Sequence, residues 1–258
     1  MTGVRDEPVD LAIGRQTDRF ATAVADAYAK PSSLAVDLRE VPVGSGYAIQ
    51  EMVRRMLDRD LVGYRIVANS ERARRALGTR APLIGVVLED SAAVVHGAPA
   101  RRPTVVEGEF AVEVEFDRAE RSCCLTVRGW RLALDLPASR QHGAWASLTA
   151  DQIVADLGLL GHVMVSAPLT LPDWPRGSAT LIVLTATNEH VFEVRLAARD
   201  EVQHLLGEIS RLIGEGKLGV PVGPAFVLLG AERMVTVAAE TRGISITHPQ
   251  LHAVRLEL

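Results

Sequence analysis

Val105-Val106-Glu107-Gly108-Glu109-Phe110-Ala111-Val112-Glu113-Val114-Glu115-Phe116 is the stretch on which the reading of this chain turns. Its period is two: Val106, Phe110, Val112, Val114 and Phe116 fall on one face, and Glu107, Glu109, Glu113 and Glu115 on the other. Successive side chains of a strand point to opposite faces, so the pattern predicts a strand with one apolar and one acidic side. Glu107 and Glu109 would stand about 7 Å apart along it, close enough for both carboxylates to lean toward one ion. Gly108 between them leaves room for a close backbone approach. Two readings stay open here: a solvated acidic face, or two ligands of a hard divalent cation that needs a third acid from elsewhere.

Outward from this segment the middle of the chain is strand-rich, with short β-branched runs at Arg65–Ala68, Gly85–Leu88, Cys123–Val127 and Trp130–Leu134. Before it, Phe20, Val24 and Tyr28 share the spacing of one helix face, and Tyr47–Leu57 forms a second amphipathic stretch through Ile49, Met52, Val53 and Met56. Arg54, Arg55, Arg59, Arg72, Arg74 and Arg75 read as wet helix faces. After it, Thr149 with Gln152 predicts a capping box, and His162–Val165 a strand in which His162 is a packed core residue. Thr180–Leu184 and Val191–Leu196 pair around a turn at Asn188. Asp200 is expected to cap the longest late helix, Glu201–Ile213, ended by Gly214 and Gly216, and strands follow near Phe226–Leu229, Met234–Ala238 and His252–Leu256. Early helices, a strand-rich middle and one late helix argue for an α+β fold with a largely antiparallel sheet. The division is a helical region over residues 1–60 and a β-rich domain over 61–258.

Bulk properties exclude several classes. The 258 residues are 48% hydrophobic, enough for a sizeable core, and the net charge of −4 with scattered arginines gives no electrostatic footprint for nucleic acid. No stretch approaches the roughly 20 apolar residues that span a bilayer, and Arg5, Asp6, Glu7 and Asp10 open the chain without a targeting run behind them. The only cysteines, Cys123 and Cys124, are adjacent, and bridging neighbours would be strained, so a reducing cytoplasm is expected. There is no phosphate loop, no Gly-x-Gly-x-x-Gly opening a helix and no His-Glu-x-x-His.

In order along the chain, Tyr47-Ala48-Ile49-Gln50, Val62-Gly63-Tyr64-Arg65-Ile66-Val67, Leu77-Gly78, Pro82-Leu83-Ile84-Gly85 and the Glu107/Glu109 pair follow a series of short motifs. This series resembles the 2-hydroxypentadienoate (2-oxopent-4-enoate) hydratase and 4-oxalocrotonate decarboxylase branch of the fumarylacetoacetate hydrolase superfamily, over residues 45 to 257. The resemblance implies a mixed β-roll or sandwich with N-terminal helices and one long late helix. It implies Mg2+ or Mn2+ held by Glu107, Glu109 and Asp135, the last replacing a glutamate with a side chain one methylene shorter. It also implies a small 2-oxo acid as substrate and a homo-oligomer as the assembled form.

In such enzymes negative charge growing on an enolate oxygen is met by the ion, and the expected reaction is hydration of a short unsaturated 2-oxo or 2-hydroxy acid. Decarboxylation and carbon–carbon hydrolysis share that electron sink. The main departure is Arg65 where the family carries a lysine; arginine is a poor proton shuttle but clamps carboxylates. Val67 stands for a glycine and Leu157 for an asparagine. Arg65, His142 and Tyr64 are therefore the candidate catalytic residues, and Arg65, Arg140 and Ser139 the candidate substrate contacts. The same departure admits a noncatalytic scaffold subunit as the competing reading.

Overall fold

A computed structural model describes residues 9–30, 36–94, 102–119, 122–140, 147–170 and 173–258. The chain runs α1 (Val9–Ala29), α2 (Gly46–Leu57), β1 (Leu61–Val67), α3 (Glu71–Ala76), β2 (Leu83–Leu88), β3 (Ala92–Val94), β4 (Val105–Ala119), β5 (Ser122–Leu136), α4 (Ala150–Ala155), β6 (His162–Val165), β7 (Ala179–Thr185), β8 (Glu189–Val194), α5 (Arg199–Gly214), β9 (Ala225–Leu228), β10 (Met234–Thr236), β11 (Thr241–His248) and β12 (Leu251–Glu257). One sheet of eight strands has the order β2-β1-β9-β4-β5-β6-β3, with β10 also on β4, and a second has the order β12-β11-β7-β8. Only β1/β9 and β3/β6 pair in parallel among the described residues. The α+β expectation with a largely antiparallel sheet is met.

The alternation that predicted the central strand holds: Val106, Val112 and Val114 are fully buried on its apolar side. The two runs expected after it are one strand, β5, because Arg128 is left over as a bulge: Glu113 faces Gly129 but Val114 faces Val127. A bulge adds one residue to one strand and shifts every later side chain to the other face. Beyond Arg128, Trp130, Leu132 and Leu134 therefore join the apolar side, opposite Val112, Phe110 and Gly108.

Helix α1 buries Phe20 and Val24, and α2 buries Ile49 and Val53, all in the hydrophobic cluster that also contains the sheet residues. Met56, expected on that face, is 47% exposed. The capping box at Thr149 and Gln152 forms as predicted. Helix α5 starts earlier than expected, at Arg199, with Ala198 at the cap and no side-chain cap bond, so Asp200 lies in the first turn, where a carboxylate favours the helix dipole. Of its apolar face, expected at Val202, Leu205, Leu206, Ile209, Leu212 and Ile213, all are buried but Ile213, which is half-buried. His162 is only part-buried, with Nε2 enclosed and unpartnered. Strands β3 and β11 had no forecast, the latter with Ile244 and Ile246 alternating with polar residues, and α3, which carries Arg72, Arg74 and Arg75, buries nothing. No helix is long and apolar enough to cross a membrane among the described residues. Cys124 is an exposed free thiol.

Two glycines of the early motifs are there for close backbone approach. A Cβ on Gly63 would lie 2.4 Å from the Phe226 carbonyl oxygen, and one on Gly85 would lie 2.8 Å from the Leu157 carbonyl oxygen and 2.9 Å from Gly158 Cα. We expect Gly85→Ala to destabilise the protein by about 1–3 kcal/mol, because backbone on both sides must shift. Gly207→Ala, in the exposed middle of α5 with nothing within 4 Å of the added carbon, is expected to stabilise by about 0.5–1 kcal/mol. Urea unfolding midpoints of the two variants check the pair, and equal shifts would contradict it.

Candidate metal centre

Because of the bulge, Asp135 on β5 faces Glu107 on β4 directly, and Ala133 faces Glu109. Directly opposed residues share a face, so three carboxylates converge. One carboxylate oxygen from each of Glu107, Glu109 and Asp135 lies within 4.8 Å of the others. The acids expected from sequence are thus brought together. Glu113 and Glu115, on the same strand face, are used elsewhere, in ion pairs with Arg131 and Arg128.

The cluster is enclosed: Asp135 and Glu109 are buried, and the Glu107 side chain is 18% exposed. Glu109 accepts a hydrogen bond from the Gly230 backbone N–H at 2.9 Å. Arg65, from β1, is the only cation paired with the trio among the described residues. Its Nη2 forms an ion pair with Asp135 and stands 3.6 Å from Glu107, while Nη1 donates to the Gly158 carbonyl at 2.6 Å. Arg65 Nε and Asp135 Oδ1 are buried with no hydrogen-bond partner.

The carbonyl that holds Arg65 is presented by an unusual turn. Leu157, Gly158 and Leu159 all have positive φ, at 54°, 67° and 63°. A left-handed conformation costs an L-residue roughly 1–2 kcal/mol, so this segment is held by its surroundings. The holding group is Asp156, fully buried, whose carboxylate accepts from Ser139 Oγ at 2.9 Å, from the Arg140 backbone N–H at 3.0 Å and from Arg140 Nη1 at 2.9 Å. Arg140 also donates to the Leu160 carbonyl and lies over the Tyr28 ring. Ser139 and Arg140 thus bond to Asp156, which immediately precedes the turn that carries Gly158. Tyr64 is not brought to the acids: it neighbours Arg65 on a strand, points to the other face, and its hydroxyl donates to the Gly219 carbonyl. His142 lies outside the described residues.

Reasoning on side chains missed the Gly158 carbonyl and the Gly230 amide, since backbone groups carry no residue-type signal. Asp156 is not among the candidate residues, although it precedes Leu157, one of the departures from the motif series.

A cavity of about 60 Å³ opens beside Arg65 and Glu107, walled by Val67, Pro137, Leu159 and Met234. That is the share of roughly two water molecules, enough for a carboxylate-sized group. A larger cleft of about 490 Å³ lies on the other face of β4, against Gly108, Phe110 and Phe192. The two share Ala231. The smaller cavity is the one that reaches the acids, so size alone is a poor guide to the site here.

Three carboxylates and one guanidinium sum to a formal charge of −2. Without another cation, burial pushes the Glu107 carboxyl up to about 7, helped by the neighbouring Asp135, against the pull of Arg65. Burial likewise raises Glu109 well above the usual carboxylate range, and raises Asp135 despite Arg65. A divalent ion would bring the total to zero, and the all-oxygen donor set suits a hard cation such as Mg2+. The residues present therefore fit the ion.

No protein-family model and no curated protein matches the chain. Solved structures do. 4-Oxalocrotonate decarboxylase from Pseudomonas putida G7, complexed with magnesium and adipate, superposes with a TM-score of 0.73 at 15% identity, over 94% of this chain and 97% of that one. The same enzyme complexed with calcium and acetate gives 0.72 at 14% identity over the same shares. The chain therefore shares the fold of this decarboxylase, the fold that the resemblance in the sequence implied. A structure of Cg1458 with inhibitor is more distant, at a TM-score of 0.50 and 13% identity over 76% of this chain and 77% of that one.

The raised carboxyls have a consequence for stability. An acid whose folded-state value lies above its unfolded value stabilises the protein at low pH and loses that contribution as pH rises to the folded value. For Glu107 alone the window runs from 4.5 to about 7 and carries on the order of 3 kcal/mol. We expect the melting temperature in chelator to fall between pH 5 and pH 8, and millimolar Mg2+ to remove most of that fall. Melting curves with and without the ion test this; parallel pH profiles would contradict it.

Proposed function

We propose that this protein is a Mg2+- or Mn2+-dependent lyase acting on a short unsaturated 2-oxo or 2-hydroxy acid, with Glu107, Glu109 and Asp135 as the metal ligands. The observation that carries this reading is the enclosed carboxylate trio with a single arginine, short of two positive charges. When bound, the ion supplies Lewis-acid stabilisation of the negative charge that develops on the substrate's 2-oxygen.

The chain's own residues do the rest. The Gly230 amide fixes the Glu109 carboxylate, and Gly158 fixes the Arg65 guanidinium. A guanidinium is a poor proton shuttle but a good bidentate partner for a carboxylate, so the role of Arg65 is to clamp the substrate carboxylate in the small cavity it lines. Val67, Pro137, Leu159 and Met234 keep bulk water away from that carboxylate, which strengthens the clamp.

Hydration is the reaction we place first. Decarboxylation is the second reading, and the match over nearly the whole chain to a decarboxylase bound to magnesium supports it. Both need the same electron sink; they differ in what adds or leaves at the distant carbon. A scaffold subunit without turnover is the outcome that would reject both.

The purified protein is expected to bind one divalent ion, and to consume a conjugated dienol acid in an ultraviolet assay only when Mg2+ or Mn2+ is present. Glu109→Gln should lower turnover at least about 100-fold while circular dichroism stays unchanged. Absence of both ion and turnover in the parent protein would reject the enzyme reading, and full activity in the variant would remove Glu109 from the site.

A further inference from the structure

We propose that Arg65 is a resident counter-ion: it holds the carboxylate trio together in the metal-free protein, competes with the divalent ion for it, and passes from Asp135 to the carboxylate of an incoming ligand once the ion is bound. This inference rests on the metal reading above and adds a coupling between two binding events.

Three observations carry it. The Arg65 Nη2 atom sits on an oxygen of Asp135 and 3.6 Å from one of Glu107, the side chains that would ligate the ion. Guanidinium and ion therefore draw on the same acids, and their positive charges would repel at short range. The Arg65 side chain is 4% exposed, with Nε enclosed and unpartnered, so the group is buried yet has a donor to spare. The small cavity lies against Arg65, opening a place for the guanidinium to turn to when Asp135 is taken.

The charge count sets the order of events. Metal-free, Arg65 is already engaged by Asp135 and Glu107, and the cluster is formally −2 when the trio is ionised, so nothing in it draws an anion. With a divalent ion in place the sum is zero, the acids are satisfied by the ion, and Arg65 is a buried cation without its partner. Such a charge is costly until an anion meets it, so a carboxylate binds best to the metal-loaded protein. Linkage then requires the carboxylate to tighten the ion by the same factor. A lysine at this position, a compact charge on a flexible stem, would not bridge Asp135, Glu107 and the Gly158 carbonyl from one planar group.

Calorimetric titration of Mg2+ into the parent protein and Arg65→Gln, each with and without saturating acetate, tests the proposal. Without acetate the variant is expected to bind Mg2+ at least tenfold more tightly than the parent, since its competitor is gone. Acetate should tighten Mg2+ at least fivefold in the parent and less than twofold in the variant. Equal or weaker Mg2+ binding by the variant, or the same acetate effect in both proteins, would overturn the proposal while leaving the metal centre standing. No stoichiometric Mg2+ binding by either folded protein would remove the metal centre and this inference together. If Arg65→Gln does not fold, parent protein labelled with 15N-arginine gives the second readout. A slowly exchanging arginine Nε–H signal should move on adding Mg2+ and again on adding acetate; a signal indifferent to Mg2+ overturns the exchange.

Discussion

The pairing of Glu107 with Asp135 across β4 and β5 is the contact on which the site depends, and it exists because Arg128 is left out of the ladder. Were the register on the turn side of the bulge continued without it, Leu134 would face Glu107 and Asp135 would point into the apolar layer. One extra residue therefore gathers three acids on one face and, by the same shift, keeps Trp130, Leu132 and Leu134 in the core. Core packing and the acidic site are satisfied by a single register, so selection of either stabilises the other.

The cluster is costly to enclose, and its surroundings limit that cost with backbone groups. Gly230 offers an amide to Glu109, and Gly158 offers a carbonyl to Arg65. The second comes from a turn with consecutive left-handed residues, two of them leucines, locked from behind by Asp156 with Ser139 and Arg140. Gly85 permits the approach by having no Cβ where Leu157 and Gly158 press on it. Residues scattered over β1, β2, β5 and the end of α4 thus converge on the orientation of one guanidinium.

That convergence accounts for the roles of motif residues whose individual signals are weak. Gly63 and Gly85 are close-approach positions, and Arg65 is a planar cation that meets Asp135, Glu107 and the Gly158 carbonyl. Leu157 sits at φ 54°, a conformation that costs a leucine free energy. Its side chain is fully buried, so apolar burial offsets part of the strain.

Local pattern alone determined much of this protein. The strict alternation of 105–116 dictated β4 and its acidic side, amphipathic spacing dictated α1, α2 and α5, and Thr149 with Gln152 dictated the capping of α4. Those features depend on residues within a few positions of each other, where periodicity and capping chemistry act. Cys123–Val127 and Trp130–Leu134 read as two separate runs, and joining them into one strand across a bulge needed the partner strand to measure them against. Tertiary structure alone decided that Arg65 reaches Asp135, that Ser139 and Arg140 are spent on Asp156, and that the Gly158 carbonyl and Gly230 amide hold the site. These are contacts between distant segments, several of them made by backbone atoms that every residue shares, and no residue-type pattern encodes them.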